Sequence, residues 1–263
     1  MELINGDCLE VMKDMSDNSI DLLFADLPYG QTSCKWDCLI DLDLFWKQAN
    51  RICKPDAVMA FTCSVKFGNT LINSNPKNFR RDLVWVKSSA CGFLNAKKME
   101  MKKHEMIYIF YNKLPKVYTE NIALHHTHKF LKEDNIVETV FDSNSLYGNE
   151  SKKKRYKNED GSINKSLNQT RYSPPLPVSV MEIKCEKGKH STQKPIPLME
   201  YLVKYYSREC ETVLDPTMGS GGTGIACSNQ NRKFIGIEKD SEIFKIALER
   251  NKIELDSPAP SKS

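Results

Sequence analysis

The chain has 263 residues, of which 40% are hydrophobic, 9% aromatic and 27% charged. That length holds one large domain or two small ones, and the composition excludes a mostly disordered chain. A chain this long buries about three-quarters of its extended surface, so it needs no disulfide or metal staple. The net charge of +4 is mildly basic and by itself points only weakly to a polyanionic partner. None of the nine cysteines forms a Cys-x-x-Cys pair, and Cys34 and Cys38 lack a second pair at ligand spacing. Free thiols are therefore expected, with no metal site. Glu2, Asp7 and Glu10 interrupt any signal peptide at the start, and the apolar runs fall short of the ~18 residues of a membrane span. The expected location is the cytoplasm.

Ile20–Asp26 is a short apolar run ended by Pro28 and Gly30, which predicts a buried strand entering a loop. Leu42, Phe45, Ala49 and Ile52 have helical spacing, and Lys54-Pro55 stops that helix. Ala57–Cys63, Asp82–Lys87 and Glu105–Asn112 read as further strands. Apolar periodicity then fades from about Lys113 to Lys189, and Ser151–Gln169 is almost wholly polar. A stretch that long without a packed face predicts a functional insertion. Periodicity returns in a helix over Ile196–Tyr206 opened by Pro195. A strand at Thr212–Asp215, a helix at Gly222–Asn229, a strand at Lys233–Glu238 and a helix from Ser241 to Ile253 follow. Strands alternating with helices predict an α/β protein with a doubly wound, mostly parallel sheet. The Pro/Ser-rich tail, 256–263, is expected to be disordered.

Two loops carry candidate chemistry. Asp215-Pro216-Thr217-Met218-Gly219-Ser220-Gly221-Gly222 lies between a strand and a helix, and Glu238 ends the next strand. Glycines allow close approach of a ligand to the backbone, a helix start offers free N–H groups, and an acidic strand end suits ribose hydroxyls. The unit therefore suits a nucleoside-containing cofactor. Gly219-x-Gly221-x-x-Gly224 also matches a dinucleotide fingerprint, so a nicotinamide oxidoreductase is the rival from another class. Against it, Asp215-Pro216-Thr217-Met218 stand before the first glycine, and too little chain follows for the second half of such a fold. The other loop, Asp26-Leu27-Pro28-Tyr29, brings a carboxylate, a backbone carbonyl and an aromatic ring to the carboxyl end of a buried strand. That set can grip a planar base bearing an amino group.

Asp26-Leu-Pro-Tyr29 resembles the Asp-Pro-Pro-Tyr motif of the amino-group DNA methyltransferases. Asp215-Pro-x-x-Gly219-Ser-Gly221 is similar to their S-adenosylmethionine loop, His190-Ser-Thr192-Gln-Lys194-Pro195 to their His-Pro-Thr-Gln-Lys-Pro segment, and Asn5-Gly6-Asp7-Cys8 to their N-terminal Gly-Asp motif. The order, base-gripping motif before cofactor loop, is that of the β group. The resemblance covers Ile4 to Asn112 and Tyr172 to Asn251. It departs from the pattern where Leu27 and Ser191 replace prolines. Thr217 stands where an aromatic is common, so one stacking wall of the cofactor pocket is either absent or supplied elsewhere.

The resemblance implies a circularly permuted Rossmann-like methyltransferase fold. Its catalytic domain would span 1–112 and 190–255, with a target-recognition insertion over 113–189. It implies transfer of a methyl group from S-adenosylmethionine to the N6 amino group of a flipped adenine in double-stranded DNA. Asp26 and the Leu27 carbonyl would hold that amino group on a loop shaped by Pro28, and Tyr29 would stack on the base. Asp215, Pro216, Gly219, Ser220 and Gly221 would hold the methionine part of the cofactor, Glu238 its ribose and Asp7 its adenine. Thr192 and Lys194 would reach its carboxylate. Asp at position 26 favours adenine; cytosine N4 is the alternative target, since serine is commoner there in cytosine enzymes. A catalytically dead DNA-binding protein is disfavoured by the intact Asp26, Tyr29 and Asp215.

The basic charge is concentrated. Lys77–Lys103 holds eight basic residues against two acidic, and Ser151–Lys189 ten against four, so the rest of the chain is net negative. Tyr156, Arg171 and Tyr172 interleave with the second segment, a pattern that suits phosphate and base contact. His125, His126 and His128 fall in the insertion, where polar or phosphate contacts are expected rather than a metal. The sequence leaves monomer and homodimer both open.

Overall fold

The computed structural model describes residues 1–30, 39–118, 136–141, 152–156, 177–185 and 194–256. In chain order the elements are β1 (Glu2–Asn5), α1 (Cys8–Asp14), β2 (Ile20–Ala25), α2 (Leu42–Ile52), β3 (Cys53–Cys63) and α3 (Val65–Ser74). Then come β4 (Phe79–Cys91), a 3₁₀ turn at Phe93–Asn95, β5 (Lys102–Phe110), β6 (Ile136–Phe141), β7 (Lys152–Tyr156) and β8 (Val180–Glu182). The chain closes with α4 (Ile196–Tyr206), β9 (Thr212–Asp215), α5 (Gly222–Asn229), β10 (Lys233–Glu238) and α6 (Ser241–Asp256).

Eight strands form one sheet in the order β1-β10-β9-β2-β3-β5-β4-β8. Every neighbouring pair is parallel except the two that involve β5, which runs antiparallel to both β3 and β4. The late strands β9 and β10 sit between the early strands β1 and β2, so the chain order is permuted relative to the spatial order. From β9 the chain continues outward to β10, and from β2 it continues the other way to β3. The gap between β9 and β2 is thus a switch point, where an open α/β sheet leaves a crevice at its carboxyl edge.

Alternation along β2 builds both faces. Leu23 and Ala25 pack with Phe45, Trp46, Phe67 and Leu71 of α2 and α3. Leu22 and Phe24 pack with Leu202 and Val203 of α4, Cys227 of α5 and Ala247 of α6. A strand buried on both faces reads as a continuous apolar run, as Leu22–Ala25 does. Side-chain oxygens hold the helix starts. Asp41 accepts from the Leu44 amide at 3.0 Å, Ser64 from Phe67 at 3.3 Å, and Asp240 from Glu242 and Ile243 at 2.9 and 3.0 Å.

Contacts divide the chain into a unit of Met1–Tyr118 with Ser179–Ser263 and a unit of Thr119–Val178. In the second unit β6 and β7 form an antiparallel ribbon, with Ile136 opposite Tyr156. β8 falls inside the stretch read from sequence as the insertion, yet it pairs with β4 in the main sheet, Val84 opposite Val180. The histidines 125, 126 and 128, Arg171, Tyr172 and the tail from 257 onward lie outside the described residues. Among the described residues no helix is long and apolar enough to cross a membrane.

Phe61 of β3 centres an aromatic cluster, with ring centroids 5.9 Å from Phe45, 5.4 Å from Trp46 and 5.5 Å from Phe110. Phe61→Ala is expected to cost about 3–5 kcal/mol of stability. Chemical denaturation checks this: the midpoint falls with little change in slope.

Candidate active site

Asp26 leaves β2 at the carboxyl edge. β2 pairs with β3 with Ala25 opposite Phe61, so the next step places Asp26 beside Thr62. The Thr62 hydroxyl donates to Asp26 Oδ1 at 2.8 Å. The Tyr29 hydroxyl reaches the same oxygen and lies 2.9 Å from the Thr62 carbonyl. With one proton, it donates to one acceptor at a time. Burial, then the Asp26 charge, pushes the Tyr29 pKa far up, so the phenol keeps that proton. The Tyr29 ring packs at 37° against Phe67, centroids 5.1 Å apart. Leu27 buries its side chain in the core, which anchors the loop backbone.

Lys194, just before α4, donates to Asp26 Oδ2 at 2.6 Å and lies 3.1 Å from Glu105 Oε1. Lys87 in turn pairs with Glu105 Oε2 at 2.6 Å. Two carboxylates and two ammonium groups thus alternate from β2 across to β4. Burial opposes the charge on Lys194, but attraction to Asp26 and Glu105 outweighs it and raises the Lys194 pKa. Burial likewise opposes ionisation of Glu105, yet Lys194 and Lys87 hold its carboxyl below the usual range. The sequence places Lys194 at a cofactor carboxylate; here its ammonium is engaged by protein acids, 12% exposed. Thr192 lies outside the described residues.

The second half of the site is the turn after β9. Asp215 is buried, and its carboxylate accepts from the Thr223 hydroxyl at 2.6 Å and the Thr217 amide at 3.1 Å. Pro216 is buried beside it. Gly219 and Gly221 have φ of +52° and +77°. At Gly221 a Cβ would also lie 2.3 Å from Asn251 Nδ2, so only glycine fits. The Gly219 and Asp240 amides donate to the two Glu238 oxygens at 3.0 and 2.8 Å and fix that carboxylate at the end of β10. Ser220 accepts from Arg250 at 2.9 Å. Asp7 caps α1 through the Leu9 amide at 2.9 Å and pairs with Lys239 at 3.0 Å. Burial opposes ionisation of Asp7, but Lys239 and the Leu9 amide lower its pKa.

Asp7, Asp26, Asp215 and Glu238 thus leave four strand ends at one edge of one sheet. Thr217 Oγ1 is buried with no hydrogen-bond partner among the described residues. A buried hydroxyl left open beside a glycine turn fits a polar ligand there. Sequence reasoning missed Thr62, Phe67, Lys87 and Glu105. The strand end Thr62-Cys63 was the available signal for Thr62, and the lone acid opening the apolar run Met106–Phe110 was that for Glu105.

Burial is the largest influence on Asp215 and pushes its pKa up to about 7, against the pull of Thr223 and Thr217. The unfolded value is about 3.9. Between those values the folded chain holds a proton that the unfolded chain has lost, so stability falls as pH rises from about 4 to about 7. Asp215→Asn is expected to flatten that fall. Denaturation of both proteins without ligand at pH 5 and pH 8 checks it, and parallel losses would contradict it.

The geometry has close relatives. A family model described as DNA methylase, for N6 and N4 methyltransferases, matches residues 20–249. The Type II methyltransferase M2.DpnII of Streptococcus pneumoniae is 27% identical, over 95% of this chain and 89% of its own length. The DNA adenine methyltransferase YhdJ of Escherichia coli K12 is 27% identical, over 94% and 81%. The crystal structure of an M1.HpyAVI–SAM complex shares the fold at a TM-score of 0.59 and 22% identity, covering 95% of this chain and 98% of that one. Matched from β2 to α6, with both motif loops at one sheet edge, this chain belongs to the N6/N4 DNA methylase family.

Proposed function

We propose that the protein is a site-specific DNA methyltransferase that moves the methyl group of S-adenosylmethionine to the N6 amino group of a flipped adenine in duplex DNA. The observation that carries this reading is the Asp26 carboxylate held at the switch-point crevice, next to the glycine turn after β9. A base stacked in a duplex cannot reach a carboxylate there, so it must be swung out.

The adenine amino group is a poor nucleophile because its lone pair is delocalised into the ring. A carboxylate has about four acceptor sites. Tyr29 and Thr62 take those on Asp26 Oδ1, and Lys194 takes one on Oδ2. The remaining site on Oδ2 receives the amino N–H, and the Leu27 carbonyl receives the other. Both bonds draw the nitrogen towards tetrahedral geometry and stabilise the positive charge that develops on it. When bound, S-adenosylmethionine would supply an electrophilic methyl on a sulfonium, whose carbon–sulfur electron pair leaves with sulfur, and the methylated nitrogen then gives up one proton to solvent.

Asp215, Pro216 and the Gly219–Gly221 turn orient the methionine end, with Thr217 Oγ1 as a further donor. Glu238 receives the ribose hydroxyls and Asp7 the cofactor's adenine. Thr192 and Lys194 serve its carboxylate, Lys194 through the third proton of its ammonium. Tyr29 stacks on the target base, its ring oriented by Phe67. One protomer supplies every assigned group, so homodimerisation is not required. A DNA substrate together with free thiols fits a bacterial or viral-host cytoplasm.

Asp26→Ala is expected to lower methyl transfer at least about a hundredfold, the loss of about 3 kcal/mol of transition-state stabilisation. S-adenosylmethionine binding, followed by calorimetry, should stay within about threefold of native, because the glycine turn is untouched. Near-native transfer by that variant would refute the mechanism. Tight binding of a nicotinamide dinucleotide with no S-adenosylmethionine binding would refute the function.

A further inference from the structure

The β4–β5 hairpin runs past the carboxyl edge on the Glu105 side. Glu105 pairs with Trp85, and the last hairpin pair, Cys91 with Lys102, lies three residues further along β5. At about 3.3 Å per residue this carries the hairpin roughly 10 Å beyond Glu105. Glu105 is itself one shared ammonium away from Asp26. The hairpin tip therefore stands beside the crevice that receives the target base.

The tip is apolar and uncovered. Phe93 is 79% exposed and Leu94 97%, with Met99 also exposed. Large apolar side chains that neighbour one another in solvent mark a contact surface more often than chance exposure does. They are not on a loose loop. Gly92, at φ +93°, starts a 3₁₀ turn, and the Asn95 and Ala96 amides donate to the Gly92 and Phe93 carbonyls at 3.0 and 3.1 Å. The Lys98 and Met99 amides both donate to the Asn95 carbonyl, at 2.8 and 3.0 Å. The turn thus presents the pair with its ordering cost already met. Around it stand Lys97, Lys98, Lys102 and Lys103, against Glu100 alone.

We propose that this hairpin tip is the element that opens DNA: Phe93 and Leu94 enter the stack beside the target adenine while the four lysines hold the flanking phosphates. Unstacking a step is unfavourable, and an inserted apolar wedge offsets it by filling the space the base leaves. The charge selects the partner, because a phosphate backbone complements four lysines and a second copy of this basic tip would repel it. The inference rests on the reading of the chain as a base-flipping methyltransferase, and it assigns the opening step to residues outside the motifs.

The test compares the native protein with the double variant Phe93→Ala/Leu94→Ala on two duplexes that carry a site the protein methylates. In one the target adenine is paired; in the other it faces an abasic position and is already free to swing out. The variant is expected to lose about tenfold or more in kcat/KM on the paired duplex and to stay within about threefold of native on the abasic one. S-adenosylmethionine binding should be unchanged. Equal loss on both duplexes, no loss on either, or a change of oligomeric state at native activity would overturn the wedge. Failure to find any methylated site in DNA from a methylation-free host expressing the native protein would reject the methyltransferase reading itself.

Discussion

The carboxylate of Asp26 sits under three donors from three parts of the chain: Tyr29 on its own loop, Thr62 at the end of β3, and Lys194 ahead of α4. Partly burying an acid among such neighbours is tolerable only while the donors stay in place. That requirement explains much of the surrounding architecture. Parallel pairing of β2 with β3 sets Thr62 beside Asp26. The reversed strand β5 delivers Glu105 to the same edge from the opposite chain direction, and Glu105 with Lys87 on β4 keeps Lys194 from collapsing wholly onto Asp26. The cluster alternates in sign and leaves Asp26 Oδ2 with room for one more hydrogen.

The cofactor half depends on the same edge. β9 and β10 come late in the chain but sit between β1 and β2, which brings the Asp215 turn next to the Asp26 loop. In each case an acid at or just past the end of a short strand is oriented by backbone amides or a hydroxyl: Asp215 by Thr217 and Thr223, Glu238 by Gly219 and Asp240, Asp7 by Leu9. Glycines at positive φ close the turn without side chains that would fill the ligand space. The chemistry asked of the protein is mostly placement, which a rigid sheet edge does well.

The elements with strong periodicity were legible before the structure. Thr212–Asp215 and Gly222–Asn229 were read with the observed bounds because Gly and Pro punctuate them. β1 is as short as β9 but has no proline closing it, and α1 at seven residues is too short for a helical period to show, so both were missed. α3 was missed because Gly68, Asn69 and Asn73 break its apolar stripe. Gly68 is there because the Tyr108 ring lies where a Cβ would go, 2.1 Å away, which only tertiary packing reveals. The two motif loops were legible as chemistry, since acid, proline and aromatic or glycine occur together. Their support was not: Thr62, Lys87 and Glu105 are ordinary strand residues, and 26, 105 and 194 meet only because the sheet order brings β2, β5 and the start of α4 together. No local pattern announces that Lys194 meets two acids from distant strands.

The most direct measurement of the central claim is the mass of the modified nucleoside. DNA from a methylation-free host expressing the protein is digested to nucleosides and weighed. An N6 amino group gripped by Asp26 predicts N6-methyldeoxyadenosine among those nucleosides, and none in cells expressing the empty vector. N4-methylcytosine, or DNA with no modified base at all, would contradict it.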